Sequence, residues 1–153
     1  MTAPHILIAE ARYYEDVGQQ LLQGATEAIE RAGATWDHVR VPGAFELPAA
    51  VQIAVRSLDF YALRRRADGY VTLGCLIRGA TSHYDHVCEQ TTRKLQDLAC
   101  SYTLALGYGL LTCENHEQAM ERARVDRRNK GGEAAQACLD MIELKRAYHL
   151  FPR

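Results

Sequence analysis

The 153-residue chain contains no apolar segment long enough to cross a membrane. The N-terminal part offers only residues 6–9 as an uninterrupted apolar run, and no later run approaches the roughly 18 residues that a spanning helix requires. The same short run cannot serve as the apolar core of a secretory signal. We therefore expect a soluble protein without a cleaved leader.

The cysteines form no C-x-x-C pair, and their number, five, is odd. They are scattered through apolar surroundings at Cys75, Cys88, Cys100, Cys113 and Cys138. This spacing argues against both a disulfide framework and a zinc knuckle. A reducing cytoplasm is the simplest location for such a chain.

Neither sign of charge dominates, since 18 basic residues oppose 19 acidic ones and the formal net charge is -1. The protein therefore has no overall field that would hold a polyanion. Two short basic runs, 64–66 and 127–130, could form a local nucleic-acid patch, but they lack interleaved aromatic residues. We expect neither a nucleic-acid nor a membrane partner. The length and the 48% hydrophobic content predict a single domain over residues 1–153.

Short apolar runs alternate with longer segments of helical period along the whole chain. Most of the apolar runs are apolar on both faces, which is typical of parallel strands buried between helices. The fold class predicted is α/β, a three-layer sandwich with a four-stranded parallel sheet flanked by helices on both faces. Strands are predicted at about 5–9, 36–41, 69–77 and 103–112, and helices at about 14–32, 48–58, 83–102, 115–127 and 130–147.

A polar or aromatic stretch follows or ends each predicted strand. In chain order these stretches are "ARYYED", "PGAFE", "IRGATSHYD" and "YGLLTCEN". Because ligands of open parallel sheets bind outside the carboxyl ends of the strands, we expect the four stretches to meet at one pocket.

The third stretch has the features of an anion-binding turn. Gly79, Ala80 and Thr81 lead into a helix that Ser82 is predicted to cap, where free backbone N–H groups and the helix dipole favour a phosphate. An ordinary strand-to-helix turn uses the same residue types, so both interpretations stand at this point. The stretch has no Walker lysine and no G-x-G-x-x-G pattern, which argues against a nucleoside triphosphate or dinucleotide site.

His83 falls in the first turn of that helix. Burial and the positive helix end should keep its imidazole neutral, so that it can accept and return protons. A histidine that only packs or hydrogen bonds near the helix start is the competing interpretation. His83, His86 and Cys88 lack the i, i+4 spacing of helical zinc ligands, so no metal site is predicted.

Four motifs in order resemble those of the lumazine synthase family of riboflavin biosynthesis, and the resemblance extends over nearly the whole chain. The motifs are "PGAFELP", "LGCLIRGATSHYDHV", "GYGLLTCENHEQAMERA" and "NKGGEAA". The resemblance implies a flavodoxin-like fold and a transferase that needs no metal or organic cofactor. The implied reaction condenses 5-amino-6-(D-ribitylamino)pyrimidine-2,4-dione with 3,4-dihydroxy-2-butanone 4-phosphate to give 6,7-dimethyl-8-ribityllumazine, phosphate and water.

The resemblance also implies roles for individual residues. Tyr13 matches the aromatic side chain that stacks on the pyrimidine ring, and His83 matches the proton-transfer histidine. Arg122 matches the arginine that pairs with the phosphate held by residues 79–81. The other substrate-binding matches are Ala44, Phe45 and Glu46 at the ribityl chain and pyrimidine edge, Leu76 and Ile77 through their backbone, and Tyr108 and Lys130. Glu133 matches an acidic position near the site.

In the family, part of each pocket comes from a neighbouring subunit, so the resemblance implies a homopentamer with pockets at its interfaces. The sequence departs from the family pattern in two places. "RYY" stands where "RFN" is usual and keeps the aromatic residue at Tyr13. "RARVDRRNKG" replaces the glycine-containing "RAGTKAGNKG" of many members, with Asp126 in place of a lysine. Without those glycines, which permit left-handed backbone, we expect a pentamer rather than a 60-subunit shell.

A protein of another class could have the same fold, namely a flavin or lumazine binder without catalytic activity. The chain retains Glu46, His83, Arg122 and Lys130 together. A pure binder would need neither the phosphate arginine nor the acid/base histidine. The combination therefore favours the enzyme.

Overall fold

Four parallel strands form one sheet in the protein. The structure, a computed structural model, describes residues 3–60 and 66–150, with the backbone alone for residues 58–60. The strands are β1 (His5–Ala11), β2 (Thr35–Val41), β3 (Gly69–Ile77) and β4 (Leu106–Cys113), in the order β2-β1-β3-β4. β1 pairs with β2 from His5 opposite Thr35 and with β3 from Ile6 opposite Gly69.

Helices cover both faces of this sheet. They are α1 (Glu15–Arg31), α2 (Leu47–Phe60), α3 (His83–Tyr102), α4 (His116–Ala123) and α5 (Lys130–Ala147). One face packs against α1, α4 and α5, and the other packs against α2 and α3. The predicted three-layer, flavodoxin-like α/β sandwich is therefore confirmed.

The two faces of the sheet each bury their own apolar side chains. Along β1, Ile6 and Ile8 are fully buried against α1 and α5, while Ala9 and Ala11 point to the opposite face and pack with Leu47 of α2. This alternation follows from the two-residue period of a strand. A strand buried on both sides has an apolar residue at nearly every position, which is why these runs stand out in the sequence.

Two glycines allow α5 to lie close to its neighbours. A Cβ atom on Gly131 would collide with the backbone carbonyl of Leu21 in α1, and one on Gly107 in β4 would collide with the carbonyl of Ala134 in α5. The backbones therefore pack directly against each other at these points. Since Lys130 is the first residue of α5, this packing also fixes its position.

The chain changes direction within the sheet in a way that opens a crevice. From β1 it runs outward to β2, and then it returns past β1 to β3 and β4. The connections that leave β1 and β3 therefore diverge. In open parallel sheets, ligands bind at this kind of switch point, outside the carboxyl ends of the strands.

Several predicted element boundaries differ from the observed ones. β4 begins at Leu106 rather than at residue 103, because Thr103 ends α3 in the left-handed conformation with φ 55°. α4 ends at Ala123 rather than near residue 127, since the N–H groups of Arg127 and Asn129 both turn back to the carbonyl of Arg124. β1 continues two residues further than predicted, to Ala11.

The predicted capping of α3 by the Ser82 side chain is wrong. The backbone of Ser82 is already helical, with φ -72° and ψ -1°, and its side chain makes no capping hydrogen bond. The hydroxyl of Thr81 accepts from the N–H of His83 at 3.3 Å instead. The caps of α4 and α5 are side chains, with Asn115 accepting from Gln118 N–H and Asn129 accepting from Gly132 N–H.

No helix within the described residues combines the length and apolarity needed to cross a membrane. Of the basic run at residues 64–66, the first two residues lie outside the described part of the chain.

Candidate active site

A cleft of about 790 Å³ lies at the carboxyl ends of β1 and β3. Its walls come from the turns after β1 and β2, from the end of β3, and from the first turns of α3. The structure brings seven of the predicted site residues to this cleft, namely Tyr13, Ala44, Phe45, Glu46, Leu76, Ile77 and His83. Three of the four polar stretches therefore meet there.

The turn after β1 presents Tyr13 to the cleft. Its ring is 76% exposed and lies edge-on to the ring of Tyr14, with centroids 4.9 Å apart. The residue before it, Arg12, turns back into the protein and pairs with the fully buried carboxylate of Glu10, with 2.6 Å between Nε and Oε1. This ion pair ties the start of the turn to the sheet and leaves the ring of Tyr13 free over the opening.

The carboxylates beside Arg12 favour its charged form. Desolvation by itself lowers the pKa of Arg12, but the hydrogen bond and the charge of Glu10 outweigh it and raise that pKa above its ordinary value. A second carboxylate, Glu15 in the first turn of α1, lies 3.4 Å from Nη1 of Arg12. Gly18 leaves room for this arrangement, because a Cβ atom there would overlap the Arg12 side chain.

The turn after β2 forms the opposite rim. Residues Ala44–Glu46 make a single 3-10 turn, in which the N–H of Glu46 donates to the carbonyl of Gly43 at 3.1 Å. Ala44 is buried and packs with Leu47, whereas the ring of Phe45 is 66% exposed. The turn thus places an aromatic ring and a carboxylate side by side at the cleft.

Leu76 and Ile77, the last residues of β3, pack on opposite faces of the sheet. Leu76 contacts the group that includes Leu47 and Val87, and Ile77 contacts the larger core on the α1 side. Both side chains are only partly buried. Both residues line the cleft.

The loop from Gly79 to the start of α3 is exposed throughout. Nothing lies within 4 Å of the Cβ position of Gly79, so the space in front of the loop is open. The first N–H groups of α3 have no partner within the helix, and they give this edge a partial positive charge. The loop adjoins the cleft at His83 and can accept an anion from solvent.

His83 is exposed, which corrects the expectation that it would be buried. It follows a loop that projects past the edge of the sheet, so its imidazole is open to water on one side. On the other side it lines the cleft. Within a single chain the histidine is therefore positioned at the cleft but not desolvated.

Six predicted site residues lie outside the lining of the cleft, namely Gly79, Ala80 and Thr81 in the adjoining loop and, further away along the chain, Tyr108, Arg122 and Lys130. Tyr108 sits inside β4, opposite Thr72, and its hydroxyl is 2.8 Å from that of Thr92 in α3. Arg122 is partly buried in α4 and donates from Nη1 to the carbonyl of Gln118 at 3.3 Å. Lys130 pairs with Glu133, with 3.0 Å between Nζ and Oε2.

The stretch "YGLLTCEN" was expected to reach the pocket at the carboxyl end of the fourth strand. This is wrong for Tyr108, its first residue, which lies within β4. Tyr108 lies five positions before Cys113, where β4 ends. β4 is an edge strand, and the Tyr108 side chain is 42% exposed there. The rest of the Tyr108 side chain is buried, and this burial raises the pKa of the Tyr108 hydroxyl.

Sequence reasoning missed Tyr14, His86 and Gln90, which also line the cleft. A signal for the last two was present in the sequence. His83, His86, Val87 and Gln90 recur at the i, i+3, i+4 and i+7 positions of one helix face, so any helix that turns His83 to a pocket also turns the others.

Cys75 lies at the floor of the cleft, near the thiol of Cys113. Burial raises the pKa of Cys75 to about 12, and the neighbouring Cys113 adds to this shift. The thiolate is the nucleophilic form of cysteine, so Cys75 is poorly suited to covalent catalysis. No three histidine, cysteine or carboxylate side chains in residues 3–60 and 66–150 are grouped so that they could hold a metal ion.

Comparison with known proteins gives a consistent result. Residues 3–146 match the family described as 6,7-dimethyl-8-ribityllumazine synthase. A protein of that name from Agrobacterium fabrum is 50% identical over 146 residues, covering 95% of this chain and 97% of its own length. One from Bartonella tribocorum is 49% identical over 95% of this chain and 92% of its own. A third, 6,7-dimethyl-8-ribityllumazine synthase 1 of Rhizobium meliloti, is 52% identical over 92% and 91%.

Cys75 and Cys138 are expected to resist iodoacetamide at pH 8, because burial raises the pKa of each thiol to about 12. The exposed Cys100 is expected to react and serves as the internal control. Peptide mass spectrometry measures the labelling of each thiol in folded and in denatured protein. If Cys75 were labelled as fast as Cys100, its proposed lack of nucleophilic character would be wrong.

Proposed function

Because the chain belongs to the 6,7-dimethyl-8-ribityllumazine synthase family, we propose that the cleft at the carboxyl ends of β1 and β3 is its active site. The chain is a transferase of riboflavin biosynthesis. It condenses 5-amino-6-(D-ribitylamino)pyrimidine-2,4-dione with 3,4-dihydroxy-2-butanone 4-phosphate to 6,7-dimethyl-8-ribityllumazine, phosphate and water. The observation that carries the proposed site is the meeting of Tyr13, Phe45, Glu46 and His83 at one cleft.

The pyrimidine substrate fits the part of the cleft between the two turns. The exposed ring of Tyr13 offers a face for stacking on the heterocycle. Backbone groups of Leu76 and Ile77 form the adjacent edge and can hydrogen bond the dione. The turn at Ala44, Phe45 and Glu46 receives the ribityl chain, whose hydroxyls suit a carboxylate acceptor.

The phosphate of the second substrate binds at the N-terminus of α3. Residues 79–81 supply backbone N–H groups and the Thr81 hydroxyl, and the helix dipole favours the negative charge there. Arg122 pairs with the same phosphate as a charge-assisted donor. Lys130 at the start of α5 is a second cation of the site, and its partner Glu133 holds its Nζ in place.

His83 stands between these two regions and transfers protons. The 5-amino group of the pyrimidine attacks the ketone, and an imine forms with loss of water. Phosphate then leaves, and the ribitylamino nitrogen closes the second ring with loss of another water. Each step moves a proton to or from nitrogen or oxygen, which an imidazole near neutral pH can do. No cofactor is required.

Placement of the two substrates carries more of the rate than the proton transfer. A positioned acid or base usually contributes about 10²- to 10⁴-fold. Holding two reactants in register contributes on the order of 7 to 11 kcal/mol. The residues that bind the two substrates therefore contribute more to the rate than the proton transfer by His83.

We also propose that the chain, a single domain, works as a homopentamer in the cytoplasm and that a neighbouring subunit completes each cleft. Tyr108 supports this arrangement, since it lies exposed on an edge strand and away from the cleft of its own chain. Phe45 and Ile53 are exposed to 66% and 69%, as expected for side chains that a second copy covers. The relatives carry the names of synthases, so the comparisons do not favour a non-catalytic binder.

His83→Ala and Arg122→Ala are expected to fail in different ways. His83→Ala should lower kcat by about 10²- to 10⁴-fold with little change in either KM, because it removes proton transfer alone. Arg122→Ala should chiefly raise the KM for the butanone phosphate, because it removes a partner of the phosphate. Steady-state kinetics with each substrate varied in turn measures both effects. Loss of binding of both substrates in His83→Ala would contradict its assigned role.

Mixing two inactive variants tests the shared site. Tyr108→Ala and His83→Ala subunits, each impaired alone, are denatured together and reassembled. Random mixing in a cyclic oligomer should give about a quarter of the interfaces an intact His83 from one subunit and an intact Tyr108 from the next. Activity should therefore return in the mixture, whereas each variant reassembled alone remains low. If the mixture showed only the average of its components, Tyr108 would not act on a neighbouring cleft.

A further inference from the structure

Arg78 lies between Ile77, the last residue of β3, and Gly79. Gly79 is the first residue of the proposed phosphate-binding loop, residues 79–81, which we call the phosphate seat. It does not line the cleft, and the family resemblance described above assigns it no role. An arginine beside an anion site is commonly a direct ligand of the anion. The contacts of Arg78 point to a different task.

Two carboxylates hold the guanidinium of Arg78. Its Nε donates to Glu114 Oε2 at 2.8 Å, and its Nη1 donates to Asp85 Oδ1 at 3.0 Å and Oδ2 at 3.3 Å. The guanidinium carbon lies 4.5 Å from the centre of the Tyr84 ring, a cation–π contact. The guanidinium therefore hydrogen bonds two carboxylates and has an aromatic ring against one face.

Both carboxylates stand at the edge of the sheet where the phosphate is proposed to bind. Asp85 is in the first turn of α3, and Glu114 directly follows β4. The N–H of Arg78 donates to the carbonyl of Cys113 at 2.9 Å, which ties the loop to the end of β4. Without a cation between them, Asp85 and Glu114 would oppose a phosphate that carries nearly two negative charges itself.

We propose that Arg78 is a positioning residue that neutralises Asp85 and Glu114 and thereby keeps the N-terminus of α3 attractive to the substrate phosphate. The proposal rests on the assignment of that phosphate to residues 79–81. The three side chains sum to a charge of -1 with Arg78 and -2 without it. Because both carboxylates occupy its guanidinium, Arg78 acts through their charge and not by contact with the phosphate.

The test compares a single and a triple variant. Arg78→Gln is expected to raise the KM for the butanone phosphate about ten-fold at low ionic strength, with little change in kcat or in the KM for the pyrimidine. Salt at roughly 0.5 M should remove most of this defect, because the effect is one of charge between exposed groups. The triple variant Arg78→Gln/Asp85→Asn/Glu114→Gln removes the cation and both anions, and its KM should return close to the wild-type value.

Arg124→Gln is the matched control. Arg124 also forms an exposed two-point pair, with Asp126, at 3.0 Å and 2.8 Å, but in the turn after α4 rather than beside the seat. Like Arg78→Gln, Arg124→Gln removes one positive charge, but it breaks an ion pair with one exposed carboxylate where Arg78→Gln breaks pairs with two. The KM for the butanone phosphate should stay at the wild-type value in Arg124→Gln.

Three results would overturn the proposal. A triple variant as defective as Arg78→Gln would mean that Arg78 contacts the phosphate or shapes the loop, and that charge compensation is not its task. An unchanged KM in Arg78→Gln, with a raised KM in Arg122→Ala, would remove the role of Arg78 while leaving the seat in place. If both variants kept the wild-type KM, the assignment of the phosphate seat itself would be wrong.

Discussion

The divergence of the chain at the carboxyl ends of β1 and β3 is the constraint on which the candidate site depends. The strand order β2-β1-β3-β4 sends the connections after β1 and β3 to opposite sides of the sheet. The path of the backbone therefore leaves a crevice between these connections. The turns at Tyr13 and Phe45 and the first turns of α3 enclose this crevice. An apolar core on both faces holds the strand ends in place, so the turns can carry exposed aromatic and charged side chains without loss of order.

Charge at the edge of the sheet is arranged in two layers. Below the cleft, the buried carboxylate of Glu10 pairs with Arg12 and ties down the turn that carries Tyr13. At the surface, Arg78 pairs with Asp85 and Glu114 beside the loop in which an anion is proposed to bind. The buried pair fixes the position of this turn, because an unpaired buried charge is costly and the pair has little freedom to move. The exposed cluster contributes little to stability, and its proposed effect is on the field that an approaching phosphate meets.

The sequence predicted most of the fold because local signals and packing agree in it. β3, α3 and α5 begin and end at the predicted residues, because a continuous apolar run marks β3 and a clear helical period marks α3 and α5. The prediction failed at the two ends of α3, where the local backbone conformation decides which residue bonds or ends the helix. Thr81 rather than Ser82 bonds the start of α3, and Thr103 ends α3 instead of starting β4. The exposure of His83 and the distance of Tyr108 from the cleft could not be predicted, because both depend on what surrounds an edge of the sheet.

Turnover by the unmodified protein tests the central claim most directly. Purified chain is mixed with both substrates, and the lumazine chromophore and free phosphate are followed in the same sample. We expect the two to rise together in equal amounts, at a rate proportional to protein and well above the uncatalysed background. Binding of the pyrimidine or of riboflavin without product above that background would contradict it, since the cleft would then be a binding site alone.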